Sequence, residues 1–95
     1  MWLTLRTGSQ RGSKAEIAQG SFVLGRDEDC DLALDDSKVS WHHASIELGP
    51  DGRAELRDLR SSNGTFVNGT RVDSTVLEGG EQIQLGDTVL VTALH

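Results

Sequence analysis

Cysteine is nearly absent: Cys30 stands alone in a chain of 95 residues. No internal disulfide can form, and a zinc site built on thiolates lacks ligands. Long apolar runs are missing as well. The longest, residues 89–91 among them, hold three residues, whereas a membrane span needs about twenty. Positive charge is in deficit, with 9 Lys and Arg against 15 Asp and Glu and a formal net charge of -6. Binding to nucleic acid or to an anionic membrane draws on a basic field, so the balance argues against both. Residues 1–6 have neither the basic start nor the apolar core of a secretory leader. With the single cysteine, this makes a cytoplasmic location the expectation. Helical patterning is missing too: no long stripe of period 3.6 occurs, and no capping box precedes one. The length excludes two stacked domains, a doubly wound dinucleotide fold and a β/α barrel. It suffices for one domain with one two-layer core.

Glycine, by contrast, is plentiful, with 11 residues regularly placed. Short β-prone runs alternate with Gly, Asp, Asn and Ser clusters about every ten residues, the rhythm of an all-β sandwich or barrel. Strands are expected at residues 2–7, 15–19, 21–24, 53–59, 65–67, 82–85 and 88–94, with a very short one around Leu32 and Leu34. The clearest half-buried strand has Ala44, Ile46 and Leu48 alternating with Ser45 and Glu47. Turns are expected at Pro50-Asp51-Gly52, Gly79-Gly80 and Gly86-Asp87. Two Asn-Gly steps, Asn63-Gly64 and Asn68-Gly69, flank residues 65–67 and carry the strongest short-range hairpin signal. The alternation assigns Leu3, Leu5, Phe22, Leu24, Leu32, Leu34, Ala44, Ile46, Leu48, Leu56, Phe66, Val67, Ile83, Leu85, Val89 and Val91 to the core.

Several constellations suggest chemistry and fail on inspection. Asp27, Asp29 and Asp31 have the spacing of the first ligands of a calcium loop. Leu32, however, stands where that loop needs Gly, and Lys38 where it needs a bidentate Glu. A solvated acidic turn is the reading. His42 and His43 are adjacent, so on a strand they point to opposite faces and cannot easily share a metal ion. Ser40, His43 and Asp58 supply the residue types of a hydrolytic relay, but no strained Gly-x-Ser-x-Gly elbow accompanies them and so short a chain has little room for a substrate cleft. Carboxylates beside Cys30 disfavour a reactive thiolate. Asn63-Gly64-Thr65 and Asn68-Gly69-Thr70 match the glycosylation acceptor; without a secretory signal they read as turns. Polar loop residues remain: Arg26 after Gly25, Ser40 near a histidine, and Ser62-Asn63 before Gly64. Arg offers a planar fork to phosphate oxygens. Ser hydroxyls and backbone N–H groups opened by Gly complete a phosphate cage.

In order and context these residues resemble the forkhead-associated (FHA) domain. The matching stretches are Phe22-Val23-Leu24-Gly25-Arg26, then Val39-Ser40-Trp41-His42-His43-Ala44-Ser45-Ile46, then Leu59-Arg60-Ser61-Ser62-Asn63-Gly64-Thr65-Phe66-Val67-Asn68-Gly69, with Leu85-Gly86-Asp87 before the last strand. Each motif is short; their order and spacing together are specific. The resemblance covers residues 2–94 and implies a single FHA domain over residues 1–95, either alone or as one module of a longer parent. It implies a sandwich of two twisted antiparallel sheets with about eleven strands. It also implies non-catalytic recognition of phosphothreonine in an extended peptide, with no cofactor and no metal.

Carried over by position, Arg26 and Ser40 hold the phosphate, and Ser62 adds a contact or shapes the pocket floor. Asn63 bonds the peptide backbone. Gly25 and His43 are architectural, the histidine bracing the recognition loops, and Gly64, Asn68 and Gly69 hold turns. Lys38 stands two residues before the loop serine, where a basic residue in some relatives favours an acidic side chain three residues after phosphothreonine. One departure is plain. The residue after the serine is commonly Asn, Arg or Lys; here it is Trp41, followed by His42. Arg26 is thus the main cation of the motif, with Lys38 and Arg60 near in sequence. Trp41 either presents a flat apolar surface to a peptide side chain or packs on its own loop.

The expected partner is a phosphothreonine-containing protein: a Ser/Thr kinase, its substrate, or a segment of the same parent chain. No nucleic acid or membrane is expected, and the isolated domain is expected to be monomeric. The alternative is an FHA-like interaction domain that binds its partner independently of phosphate, kept open by Trp41. An enzyme is the third and weakest class.

Overall fold

The computed structural model describes residues 1–94 and contains eleven strands, with no helix among the described residues. The strands are β1 (Trp2–Leu5), β2 (Lys14–Glu16), β3 (Gly20–Gly25), β4 (Leu32–Ala33), β5 (Ala44–Leu48), β6 (Ala54–Asp58), β7 (Thr65–Val67), β8 (Thr70–Val72), β9 (Ser74–Leu77), β10 (Gln82–Leu85) and β11 (Thr88–Ala93). One sheet runs β2-β1-β11-β10-β7-β8 and the other β4-β3-β5-β6-β9. Every pairing is antiparallel except the short parallel one between β3 and β4. The sheets bury a common core that includes Leu3, Leu5, Leu24, Ile46, Leu56, Ile83 and Leu85, each no more than 2% exposed. Strands β8 and β9 lie where the sequence shows no apolar alternation.

Two hairpins have the turn chemistry their residues dictate. Asn68-Gly69 joins β7 to β8, with Val67 paired to Thr70 and φ of 50° and 85° at the two turn residues. Both central residues have positive φ, the type I′ pattern that matches strand twist. Gly86-Asp87 joins β10 to β11, with Gly86 at φ 59°. The other Asn-Gly step departs from the hairpin expectation. Asn63-Gly64 lies in the connection from β6 to β7, which passes from one sheet to the other. Gly64 still needs its φ of 89°, but no strand pair closes there.

The core departs from expectation at one end of the chain. Ile83 pairs with Leu90 and Leu85 with Thr88, so Thr88, Leu90 and Thr92 face inward from β11. Val89 and Val91 face outward beside Gln84 and Gln82, and Phe66 lies opposite Gln84 on the same outer face. A one-residue error in phase moves every side chain of a strand to the other face. Two inward threonines hide the true phase, because each hydroxyl has an internal partner. Thr88 Oγ1 donates to Asp36 Oδ2 at 2.8 Å, and Thr92 Oγ1 to Glu81 Oε1 at 2.6 Å. Ile17, Val39, Ala54 and Leu77 also join the core, while Phe22, Leu32, Leu48 and Val67 pack at its margin, partly exposed.

Strand register gathers the functional loops. Leu24 pairs with Ala44 and Ala44 with Asp58, so β3 ends, β5 begins and β6 ends at one level. Thr65 pairs with Leu85 and Leu85 with Thr88, which sets the matching ends of β7, β10 and β11. The loops after β3, before β5 and before β7, and the β10–β11 turn, therefore crowd one end of the sandwich.

Candidate functional site

Gly25 opens the site because only a bare Cα fits there. A Cβ at this position would stand 2.1 Å from the Trp41 carbonyl oxygen and 2.9 Å from Cys30 Sγ. The next two residues clamp the β4–β5 loop: Arg26 N–H donates to the Ser40 carbonyl at 3.0 Å, and Asp27 N–H to the Trp41 carbonyl at 3.1 Å. The Cys30 thiol donates to that same Trp41 carbonyl at 3.2 Å. Burial pushes the Cys30 pKa up and the Asp27 charge adds to it, so the thiol stays protonated and able to donate.

His43 ties this loop to the next. Its ring is fully buried. Nδ1 accepts from the Ser40 backbone N–H at 3.0 Å, and Nε2 lies 2.8 Å from the Gly64 carbonyl. A carbonyl only accepts, so Nε2 carries the proton. Both ring nitrogens are thereby occupied by backbone, leaving neither for the Ser40 hydroxyl or for Asp58. The hydrolytic relay conceivable from residue types is not assembled. Asp58 serves the β6–β7 loop instead, accepting from Thr65 Oγ1 at 2.7 Å and from the Ser61 hydroxyl and backbone N–H. Burial works to raise the Asp58 pKa, but the bonds from Ser61 and Thr65 outweigh it and hold the carboxyl below its ordinary value. The acidic turn is likewise occupied with backbone. Asp27 Oδ1 accepts from Asp29 N–H at 3.0 Å, and Asp31 Oδ2 from Val23 N–H at 2.8 Å.

Four bonds fix the loops around the pocket. Ser62 N–H donates to Ser40 Oγ at 3.1 Å. Asn63 Nδ2 donates to the Lys38 carbonyl at 2.7 Å. Asp36 Oδ2 accepts from Asp87 N–H and from Thr88 Oγ1, each at 2.8 Å, pinning the β4–β5 loop to the β10–β11 turn. Burial of the Asp36 carboxyl opposes ionisation; hydrogen bonds led by that from Lys38 N–H overcome it and lower the pKa.

The result is one concavity of about 280 Å³, lined by Arg26, Lys38, Ser40, Trp41, Ser62 and Asn63 together with Ser37 and Val39. All six residues expected to touch a ligand meet there. Arg60 does not line it; its backbone takes a φ of 57° in the β6–β7 loop. Arg26 is the centre of charge. Its Nη1 reaches the Ser37 carbonyl only at 3.5 Å, and its buried Nε has no hydrogen-bond partner among the described residues. A buried donor without a partner costs about 1–3 kcal/mol; Nε is closed to solvent, so the donors an incoming acceptor can reach are the Nη groups, of which Nη1 makes only that long exposed contact. The guanidinium carbon sits 4.4 Å from the centroid of the Trp41 ring, and that side chain is 60% exposed at the rim. Neither sequence reading of Trp41 anticipates this contact: the ring packs on Arg26, which belongs to the loop after β3 and not to its own, and its exposed remainder faces solvent.

Lys38 is not a free cation. Its Nζ lies 3.3 Å from Asp87 Oδ1, with both side chains well exposed. Such a pair contributes about 0–1 kcal/mol and opens readily. A second guanidinium, carried by Arg71, belongs to no motif in the sequence. It overlies Gly64: a Cβ there would stand 2.8 Å from Arg71 Nε. The signal for it is the Asn68-Gly69 hairpin, which fixes Arg71 opposite Phe66, two residues from Gly64.

The family model of the FHA domain matches residues 22–86, more than half of the chain and all of this loop cluster except its flanks. The chain belongs to the FHA family. The FHA domain described here is 41% identical over 93 residues to the ABC transporter ATP-binding/permease protein Rv1747 of Mycobacterium tuberculosis, covering 98% of this chain and 10% of that protein. It is 39% identical over 89 residues to the glycogen accumulation regulator GarA of Mycolicibacterium smegmatis, covering 94% of this chain and 56% of that one. The chain thus spans about half or less of the length of these relatives. A solved structure from work on phosphothreonine-dependent FHA domain interactions superimposes with a TM-score of 0.91 at 35% identity, covering 99% of this chain and 95% of its own. The two-sheet all-β sandwich implied by the sequence motifs is therefore the fold of this FHA domain.

Proposed function

We propose that this FHA domain is a non-catalytic module that binds phosphothreonine in an extended peptide and so docks partners in Ser/Thr kinase signalling. The observation that carries the reading is the Arg26 guanidinium, charged and short of acceptors, in one pocket with the Ser40 hydroxyl and the Ser62 and Asn63 loop. Arg26 and Ser40 hold the phosphate, Ser62 adds a contact at the pocket floor, and Asn63 bonds the peptide backbone. Asn63 has its amide nitrogen on Lys38, which leaves Oδ1 as the acceptor for a peptide N–H. Gly25, His43, Gly64, Asn68 and Gly69 hold the loops in place. A hydrogen bond to a charged group contributes about 1.5–3 kcal/mol, so a few such bonds suffice for selective binding.

The partner is a phosphothreonine-bearing protein, either the kinase, its substrate or a segment of a longer parent chain of which these residues form one module. No helix among the described residues is long and apolar enough to cross a membrane; a cytoplasmic setting belongs to the proposal because kinase and substrate meet there. Lys38 reads an acidic residue three positions after phosphothreonine by exchanging its bond to Asp87 for one to the peptide.

The test is titration with degenerate phosphothreonine, phosphoserine and unphosphorylated libraries, for wild type and Arg26→Ala. Selective binding of phosphothreonine, reduced at least about thirtyfold by Arg26→Ala, is expected, since one charge-assisted bond is worth about that factor. Enrichment of Asp or Glu at the third following position is the accompanying expectation for Lys38. One observation favours a second reading: Trp41 occupies the position where the family commonly has a polar residue, and its side chain is 60% exposed. Binding that survives both phosphatase treatment and Arg26→Ala would establish a phosphate-independent interaction domain.

A further inference from the structure

We infer that Trp41 is a positioning residue for the phosphate site: its ring sets the plane of the Arg26 guanidinium, taking the place of a polar phosphate ligand. This rests on the phosphothreonine reading above. Three observations carry it. The Arg26 guanidinium carbon sits over the Trp41 ring, 4.4 Å from its centroid. No carboxylate pairs with Arg26 among the described residues, and the one hydrogen bond its side chain makes there is the 3.5 Å contact to the Ser37 carbonyl. The Trp41 backbone is itself held from two sides, its carbonyl accepting from Asp27 N–H and from the Cys30 thiol.

The chemistry follows from how a guanidinium is built. All five N–H donors lie in its plane, so an aromatic face restrains that plane without using a donor. A carboxylate partner would restrain it equally well, but it would cancel the charge and occupy the fork. The aromatic contact therefore restrains Arg26 while leaving it cationic and its donor fork almost free. The Trp41 ring is anchored through its backbone to the loop that also carries Ser40, so the guanidinium plane is set relative to the Ser40 hydroxyl. A ring at this position removes one direct phosphate contact and tightens the geometry of the remaining cation.

The test compares wild type, Trp41→Ala, Trp41→Phe and Arg26→Ala, using a degenerate peptide library with one fixed phosphothreonine, divided into sublibraries by flanking residue. Trp41 is exposed, so neither Trp41 variant removes core packing, and Trp41→Phe keeps an aromatic face. Trp41→Ala is expected to lower affinity about tenfold, the scale of a partly desolvated cation–π contact. The loss should be the same factor in every sublibrary, and Trp41→Phe should restore binding to within about threefold of wild type. In the Arg26→Ala background, Trp41→Ala should add no further loss, because the two residues act as one unit. Unchanged affinity in Trp41→Ala overturns the inference while leaving the phosphothreonine reading standing. So does a loss confined to one class of flanking residue, which would make the ring a peptide contact, and so does failure of Trp41→Phe to rescue. If wild type itself does not distinguish phosphorylated from unphosphorylated libraries, the reading falls first and this inference falls with it.

Discussion

At the scale of the residue, the site depends on a few atoms that have no room to change. Gly25 is the sharpest case. A methyl group there meets backbone, the Trp41 carbonyl at 2.1 Å, and backbone cannot rotate away as a side chain would. Gly25→Ala should force apart the two segments that carry Arg26 and Ser40. We expect a loss of about 1–3 kcal/mol in stability, the scale of overpacking, and loss of phosphopeptide binding even at temperatures where the variant stays folded. Urea denaturation and peptide titration read the two effects separately; wild-type binding by the alanine variant would contradict the clamp. The residues singled out by the sequence motifs lie together in space: Arg26, Ser40, Ser62 and Asn63 line one concavity, and His43 bonds the Ser40 and Gly64 backbone beside it. The contact between Arg26 and Trp41 was not legible there, because it spans two loops that only the β3–β5 pairing brings together. The engagement of Lys38 by Asp87 was hidden for the same reason, the partners being 49 residues apart.

At the scale of the element, the informative strand is β11. Its sequence, Thr88-Val89-Leu90-Val91-Thr92-Ala93, invites either phase, and the more apolar phase is the wrong one. Register with β10 decides it by setting Leu90 against Ile83 in the core. Leu90→Ala should therefore cost about 2–5 kcal/mol and Val89→Ala about 1 kcal/mol or less, as for a core cavity against a partly exposed site. Comparable losses from both, measured by urea midpoints, would mean that the strand phase is misassigned. Strands β8 and β9 escaped the residue pattern because they are short edge strands, Thr70–Val72 and Ser74–Leu77, each largely exposed. Edge strands take their existence from a paired neighbour more than from an apolar face. The Asn68-Gly69 turn was legible because its positive φ values select those two residues directly.

At the scale of the whole molecule, charge and acidity set the working conditions. A net charge of -6 does not draw an anionic peptide from a distance. At physiological salt the screening length is about 8 Å, so charges near Arg26 dominate and substitutions at Arg11 or Arg53 should change affinity little. Asp36, Asp58 and Glu81 are each held below the ordinary carboxylate pKa, with hydrogen bonds outweighing burial. A carboxyl depressed in the folded state binds protons more readily once unfolded. Its contribution is therefore present above the ordinary carboxylate range and lost as pH falls through the folded value. The carboxylate contribution to the urea midpoint should fall steadily below about pH 4. Asp58→Asn should start lower and show a shallower acid limb. A midpoint that rises on acidification would contradict the hydrogen-bonded carboxylates.

The central claim is that the Arg26 guanidinium receives the phosphate. Its most direct test is the guanidinium Nη–H resonances of Arg26, followed by ¹⁵N NMR during titration with the phosphothreonine peptide pool. Nη1 makes only the exposed 3.5 Å contact to the Ser37 carbonyl, so a phosphate oxygen should slow the exchange of these N–H groups with solvent and shift them downfield, with no such change on adding the unphosphorylated pool. If the phosphorylated pool binds and leaves the Arg26 guanidinium Nη–H resonances unmoved, the phosphate is held elsewhere and Arg26 is not its receptor.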